Sequence, residues 1–313
     1  MIIVNFVLYI VAFVLIWFGS GLIVSSTSAF SKRLRLSPFA FSFVFLGLLT
    51  SIPEFSVGLQ AVAGHDPEIF VGNLIGGVAM MFLFVIPLLA IFGNGVNIKN
   101  ELDKYALLLT LASVLVPSLL IIDRRVTNFE GAICILLYFM LLYMVERKNG
   151  ILDRNNSHML DAKAYSYKDI LKVIAGICIV FFASGMIVDK TVYFAGIFNI
   201  SAYYLSLFIV ALGTNLPELS LAVRSVVTGK KDIAMGDYIG SAAANTLLFG
   251  VFTLLHDGEV ITVNNFFLTF VFICGALAIY YVVSVTDNFI SRKNGLLLLG
   301  IYGLFIFFEV LTK

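Results

Sequence analysis

A fixed shift of 164 residues lays 18–85 over 182–249 without a gap, and 21 of the 68 pairs are identical. Apolar chains coincide by chance through Leu, Ile and Val. Here the matches include Ser20/Ser184, Gly21/Gly185, Pro53/Pro217, Glu54/Glu218, Gly72/Gly236, Ile75/Ile239 and Gly76/Gly240, residue types that chance does not align in register. The chain is therefore an internal duplication, and any fold must seat two copies of one unit.

Within the repeat the sharpest element is a proline followed by a carboxylate in a long apolar segment: Thr50-Ser51-Ile52-Pro53-Glu54 and Thr214-Asn215-Leu216-Pro217-Glu218. Hydrophobic residues make up 60% of the chain, charged residues 12%, and mean hydropathy is +1.03, values of a helical integral membrane protein. Spanning a bilayer takes about 20 apolar residues. Ten stretches qualify, roughly 3–25, 38–63, 68–93, 104–122, 127–146, 168–189, 200–227, 232–255, 264–286 and 294–311. The first reads as a retained span, because no lysine or arginine precedes Lys32 and no small-residue cleavage site follows a short core.

Of the 20 Lys and Arg residues, 16 fall in loops after odd-numbered spans, among them Lys32, Arg33, Arg35, Arg147, Lys148, Arg154, Lys230, Lys231, Arg292 and Lys293. The positive-inside rule makes those loops cytoplasmic and puts both termini outside. Five spans separate the copies, so the second enters the membrane from the opposite side. The expected fold is an all-α integral membrane protein of ten transmembrane helices in two inverted five-helix repeats, 1–146 and 168–313, joined by a cytoplasmic linker at 147–167. Inverted repeats with broken helices are the layout of secondary transporters with a midplane site.

Pro53 and Pro217 each remove a backbone donor in mid-span. In hydrocarbon the freed groups are tolerated where they line a protein cavity or bind something polar. A charge at that depth costs at least about 2.5 kcal/mol, so two in matched positions point to function. Hard cations suit such a place, since Ca²⁺ takes six to eight oxygens from carboxylates, carbonyls and waters. Glu54 and Glu218 would supply charge, and Thr50 and Thr214 hydroxyl or carbonyl oxygens one turn back. Two carboxylates held together away from water call for a divalent ion or for protons.

A second matched element follows each motif, Gly72-Asn73-Leu74-Ile75-Gly76-Gly77 and Gly236-Asp237-Tyr238-Ile239-Gly240-Ser241. Small residues four apart let helices pack closely, while Asn73, Asp237, Ser241 and Asn245 place polar groups in apolar surroundings. Asp237 is the third expected buried carboxylate. Glu130, Asp287 and Glu309 lie near span ends and read as interfacial. Asp66, Glu68 and Asp232 read as solvated loop charge. Cys134, Cys178 and Cys274 sit singly in apolar spans as small hydrophobes, and His65, His158 and His256 lie in loops.

These paired segments resemble the two alpha repeats of the cation/calcium exchanger superfamily, and within it the prokaryotic sodium/calcium exchangers. The resemblance covers nearly the whole chain. It implies a core of the second, third, seventh and eighth helices, across which the first and sixth slide. It also implies Glu54 and Glu218 as main calcium ligands with Thr50 and Thr214, and Ser51 and Ser241 at sodium sites. The chain departs from the pattern at Gly77 (usually Ser), Met81 (usually Asn), Asn215 (for Ser), Asn245 (where Asp or Asn is found) and Asp237 (where most relatives have Asn). The oxygens lost at Gly77 and Met81 put one sodium site in question, and Asp237 returns a negative charge at a different point.

The expected function is thus a plasma-membrane antiporter exchanging Ca²⁺ for Na⁺, with H⁺-coupled transport of Ca²⁺ or another divalent cation as the alternative. No cofactor and no nucleic-acid partner is expected; the partners are Ca²⁺, Na⁺ (or H⁺) and the bilayer, and the protein is expected to be a monomer. An intramembrane protease would need a His-Glu-x-x-His motif, a serine elbow or paired catalytic aspartates. The first two are absent, Asp237 has no equivalent aspartate in the first copy, and an enzyme is not expected. Broken helices in inverted repeats also favour alternating access over a passive channel.

Overall fold

The computed structural model describes residues 2–31, 42–97, 104–149, 167–228, 231–256, 259–262 and 264–311. Most of the expected linker, 150–166, lies outside the described residues, as do the loop basics Lys32, Arg33, Arg35 and Lys230 and His158.

The helices are α1 (Ile2–Ser31), α2 (Ser42–Leu46 and Gly47–Thr50), α3 (Ile52–Ala63), α4 (Pro67–Met80, Met81–Val85 and Ile86–Phe92), α5 (Lys104–Leu120) and α6 (Asn128–Asn149). The second half has α7 (Tyr167–Phe198), α8 (Ala202–Leu205, Ser206–Val210 and Ala211–Thr214), α9 (Leu216–Thr228), α10 (Lys231–Leu255), α11 (Phe267–Thr286) and α12 (Arg292–Leu311). Eight are long and apolar enough to cross a membrane, and ten spans result if each bent pair, α2–α3 and α8–α9, is one. Large apolar side chains such as Ile3, Leu136, Phe182 and Leu297 face outward, as lipid contact requires. The sixth span is longer than the hydropathy pattern suggested, continuing past 189 to Phe198.

The prolines act where expected. α2 and α3 meet at 47° and α8 and α9 at 45°. Pro53 and Pro217 sit at the start of the second half-helix, where a missing N–H costs nothing. Glu54 and Glu218 fall in the first turns of α3 and α9, where the helix dipole favours a negative charge.

Two features unreadable from composition follow the same 164-residue shift. Ser42–Leu46 and Ser206–Val210 are both π-helical turns, and they are counterparts. Each pushes a carbonyl against a glycine of the other copy: a Cβ on Gly240 would lie 2.1 Å from the Phe43 carbonyl oxygen, and one on Gly76 2.2 Å from that of Leu207. Only glycine permits this approach, which seats α2 on α10 and α8 on α4.

Two short ladders repeat the relation. β1 (Val96–Asn97) pairs antiparallel with β4 (Phe289–Ile290), and β2 (Arg125–Thr127) with β3 (Glu259–Ile261). The shift carries the pair Val96/Ile290 onto Val260/Val126, and Asn97/Phe289 onto Ile261/Arg125, which are the observed partners. Outside the core, α1 lies along α7, joined by the Tyr9 and Thr191 hydroxyls at 2.7 Å.

Candidate ion-binding site

All ten polar residues singled out in the sequence are buried: Thr50, Ser51, Glu54, Asn73, Thr214, Asn215, Glu218, Asp237, Ser241 and Asn245. They come from both copies and are knitted across them. Thr50 Oγ1 lies 3.1 Å from Asp237 Oδ1, and 3.0 Å from its own helix carbonyl at Leu46. In the other half Thr214 Oγ1 donates to Asn73 Oδ1 at 3.0 Å. Ser51 donates to the Gly47 carbonyl at 2.7 Å and shares a contact of 3.1 Å with Ser241, whose hydroxyl donates to Glu218 Oε1 at 3.2 Å.

What remains unbonded is informative. Both oxygens of Glu54, Oε2 of Glu218, Oδ2 of Asp237 and Oδ1 of Asn215 and Asn245 are buried without a hydrogen-bond donor. Thr214 stands beside Glu54, and its hydroxyl also reaches Asn73 Oδ1 at 3.0 Å and the Ala211 carbonyl at 3.4 Å. Buried polar groups normally find partners, and a buried carboxylate without one is costly. Among the residues whose side chains are described, no lysine or arginine is buried. Such an oxygen-lined, acidic interior matches the donor set of a hard cation. Among the described residues no three His, Cys, Asp or Glu side chains are placed to hold one metal together. A bound cation must therefore draw on hydroxyl, amide and backbone oxygens beside the glutamates.

Other acidic residues differ from the expectation in two places. Glu309 is not interfacial but 1% exposed, and it accepts a hydrogen bond from Thr269, whose hydroxyl is 2.9 Å from that of Tyr203. Its place near the end of α12 suggested access to water, but α11 and α8 cover it. Glu68 is no solvated loop charge: its carboxylate accepts from Ser201, Thr262 and Asn264, tying the start of α4 to that of α8. Glu130 forms a capping box with Thr127 at the start of α6, and Asp287 is exposed.

The sequence profile described as sodium/calcium exchanger protein matches residues 4–145 and 168–311. The chain belongs to the sodium/calcium exchanger family. It is 25% identical to the inner membrane protein YrbG of Escherichia coli (strain K12), covering 81% of this chain and 80% of that one. It is likewise 25% identical to the sodium/calcium exchanger MaX1 of Methanosarcina acetivorans, covering 98% of each. Its fold is that of the sodium-calcium exchanger NCX_Mj, whose structure soaked with Na⁺ and Sr²⁺ superposes with a TM-score of 0.71 over 97% of this chain and 98% of that one, at 21% identity.

Proposed function

We propose that this member of the family is a secondary antiporter that moves Ca²⁺ across the membrane in exchange for Na⁺, by alternating access to the buried site. The observation that carries the reading is the set of six donorless oxygens around Glu54 and Glu218, with no buried lysine or arginine among the described side chains. Glu54 and Glu218 are the main calcium ligands, with Thr50 and Thr214 beside them, and Ser51 and Ser241 line sodium positions. Asp237, Asn73, Asn215 and Asn245 complete the polar lining. The sodium/calcium names of MaX1 and NCX_Mj support the same choice of ions. Buried carboxylates without donors are neutralised by protons as well as by a divalent ion, so proton coupling is the alternative, and the sodium/calcium names of MaX1 and NCX_Mj favour sodium over it.

In this reading the two copies are inverted five-helix repeats, 1–146 and 168–313, with both termini outside and the linker cytoplasmic. Support comes from the two ladders and from the π turns at Ser42–Leu46 and Ser206–Val210, which exchange under one shift, although the π turn at Met81–Val85 has no such counterpart within α10. α1 and α7, packed on each other with apolar faces toward lipid, are the pair that slides across the core of α2–α4 and α8–α10. The working unit is a monomer in the cell membrane.

The test is ⁴⁵Ca²⁺ uptake into proteoliposomes holding the purified protein, with a sodium gradient or, separately, a pH gradient imposed. Uptake driven by outward-directed sodium is expected. Uptake that ignores sodium on both faces and follows the pH gradient would overturn the coupling.

A further inference from the structure

The α1–α7 pair meets the core at a contact that is keyed in one copy and not in the other. On α1, Tyr9 and Phe13 lie one turn apart with ring centroids separated by 4.8 Å. Tyr9 is fixed to α7 by its bond to Thr191 and by the Phe194 ring, 5.7 Å away. Phe13 reaches the core instead. A Cβ on Gly213 of α8 would lie 2.0 Å from both Cδ1 and Cε1 of its ring, so the edge of the ring rests on the backbone itself. Only a glycine admits so close an approach. Gly213 directly precedes Thr214, whose hydroxyl reaches Asn73 Oδ1. One turn of α1 thus joins α7 to the stretch of backbone that carries an oxygen of the site.

The 164-residue shift, continued back along the helix, carries Tyr9 onto Val173, Phe13 onto Ile177 and Gly213 onto Leu49. At these positions the second copy has no aromatic pair, and the first has a leucine where α8 has a glycine. Phe13 is 9% exposed and Ile177 41%, so one member of this matched pair is seated and the other is not. Inverted-repeat transporters alternate access by moving one bundle against the other around a fixed site. Contacts packed as closely as a ring edge on a backbone do not deform continuously; they hold or they release. The Phe13–Gly213 contact must therefore release when the α1–α7 pair slides.

We propose that Phe13 and Gly213 are positioning residues of the exchange: the ring seated in the glycine notch holds the α1–α7 pair in the place seen here. The opposite end of the slide, where Ile177 comes to Leu49, has no such catch. The equilibrium between the two access states is thereby tilted toward this one. This rests on the alternating-access reading of α1 and α7 and adds the contact that sets its balance. Apparent affinity at each face scales with the fraction of molecules open to that face. Loosening the catch therefore weakens apparent Ca²⁺ affinity at one face and strengthens it at the other, with Glu54 and Glu218 untouched.

The experiment is exchange of external ⁴⁵Ca²⁺ for trapped Ca²⁺ in right-side-out and in inverted membrane vesicles carrying the full chain, which needs no particular coupling ion and gives the half-saturating Ca²⁺ at each face. In Gly213→Ala the ratio of the two values should move about tenfold, the size of a usual overpacking penalty, through opposite changes at the two faces. Phe13→Ile, which copies the other repeat, should move it in the same direction. Phe13→Ala with Gly213→Ala should move it no further than Phe13→Ala alone, because the added methyl enters the space the ring has left and residues in contact are not additive. Affinities unchanged at both faces, changes of the same sign at both, a loss of maximal rate alone, or additive effects in the double variant would each overturn the catch and leave the antiport reading standing. Should Gly213→Ala fail to fold, Phe13→Ile decides by the same criterion. Wild-type vesicles without Ca²⁺ exchange at either face would instead remove the reading on which the proposal rests.

Discussion

α4 and α10 occupy corresponding places in the two copies, yet they have diverged in opposite directions. Their glycines at 76 and 240 serve the same purpose, admitting a carbonyl from a π turn to nearly the same distance, 2.2 and 2.1 Å from a would-be Cβ. Three residues before those glycines, and one and five residues after them, the match fails: Asn73 corresponds to Asp237, and Gly77 and Met81 correspond to Ser241 and Asn245. Backbone contacts constrain both copies equally, because loss of either glycine would force the helices apart. Side chains of the buried polar cluster are under no such shared backbone constraint, so each half is free to specialise. A duplicated transporter can therefore keep a symmetric frame around an asymmetric site.

The relation between the halves would break entirely if they entered the membrane from the same side. A cysteine at Asn156 should be labelled only from the cytoplasm and one at Asn265 only from outside, an all-or-none outcome read with an impermeant thiol reagent. Asn265 is exposed, whereas its neighbour Asn264 is buried against Glu68 and would resist labelling for structural reasons. Labelling of both positions from one side would end the inverted reading. Next in size is the glutamate pair, where the halves should be equivalent. Glu54→Gln or Glu218→Gln keeps the shape and removes the charge, and breaking such a buried arrangement costs about 3–5 kcal/mol, more than about a hundredfold in affinity. Calcium flux should vanish in both while expression persists, and near wild-type flux in either would remove that residue from the site.

The frame itself gives a finer comparison. Gly76→Ala and Gly240→Ala should each destabilise by about 1–3 kcal/mol, the usual cost of overpacking, and by similar amounts, because the two contacts match. Thermal unfolding in detergent measures it, and a large effect from only one of them would mean that the core is less symmetric than its backbone.

How much of this was legible in advance depended on which atoms carry the symmetry. Pro53, Pro217, Glu54 and Glu218 announced the broken helices and the buried carboxylates, because proline and buried charge have few other uses in an apolar span. All ten candidate residues are buried. The π turns carry no residue signature, and Ser42 and Ser206 mark them only in retrospect. The ladders extend the shift to Val126 and Ile290, well past the aligned stretch, but strands of two or three residues have no periodicity to detect. Thr127 and Glu130 were readable as a capping box from their spacing alone. Glu309 was misjudged because distance from a helix end says nothing about which neighbours cover it.

The ladders themselves supply the smallest expected difference. They are counterparts in register, yet each is finished by a different contact. Arg125 and Glu259 form an ion pair on one, with side chains 62% and 34% exposed. On the other, Phe289 packs over Gly95, whose φ of +84° suits glycine and whose would-be Cβ lies 2.1 Å from the ring. An exposed ion pair contributes about 0–1 kcal/mol, because water and salt screen both charges. Glu259→Gln should therefore shift the melting temperature very little, and less still at high salt. Gly95→Ala meets both a strained backbone and the Phe289 ring, so it should cost more than the charge change, by about 1 kcal/mol or above. Measured side by side in one detergent, the two variants rank the contacts. If Glu259→Gln proved the more damaging, the ion pair would be holding the β2–β3 ladder together, and the two membrane faces would differ in how their loops are fastened.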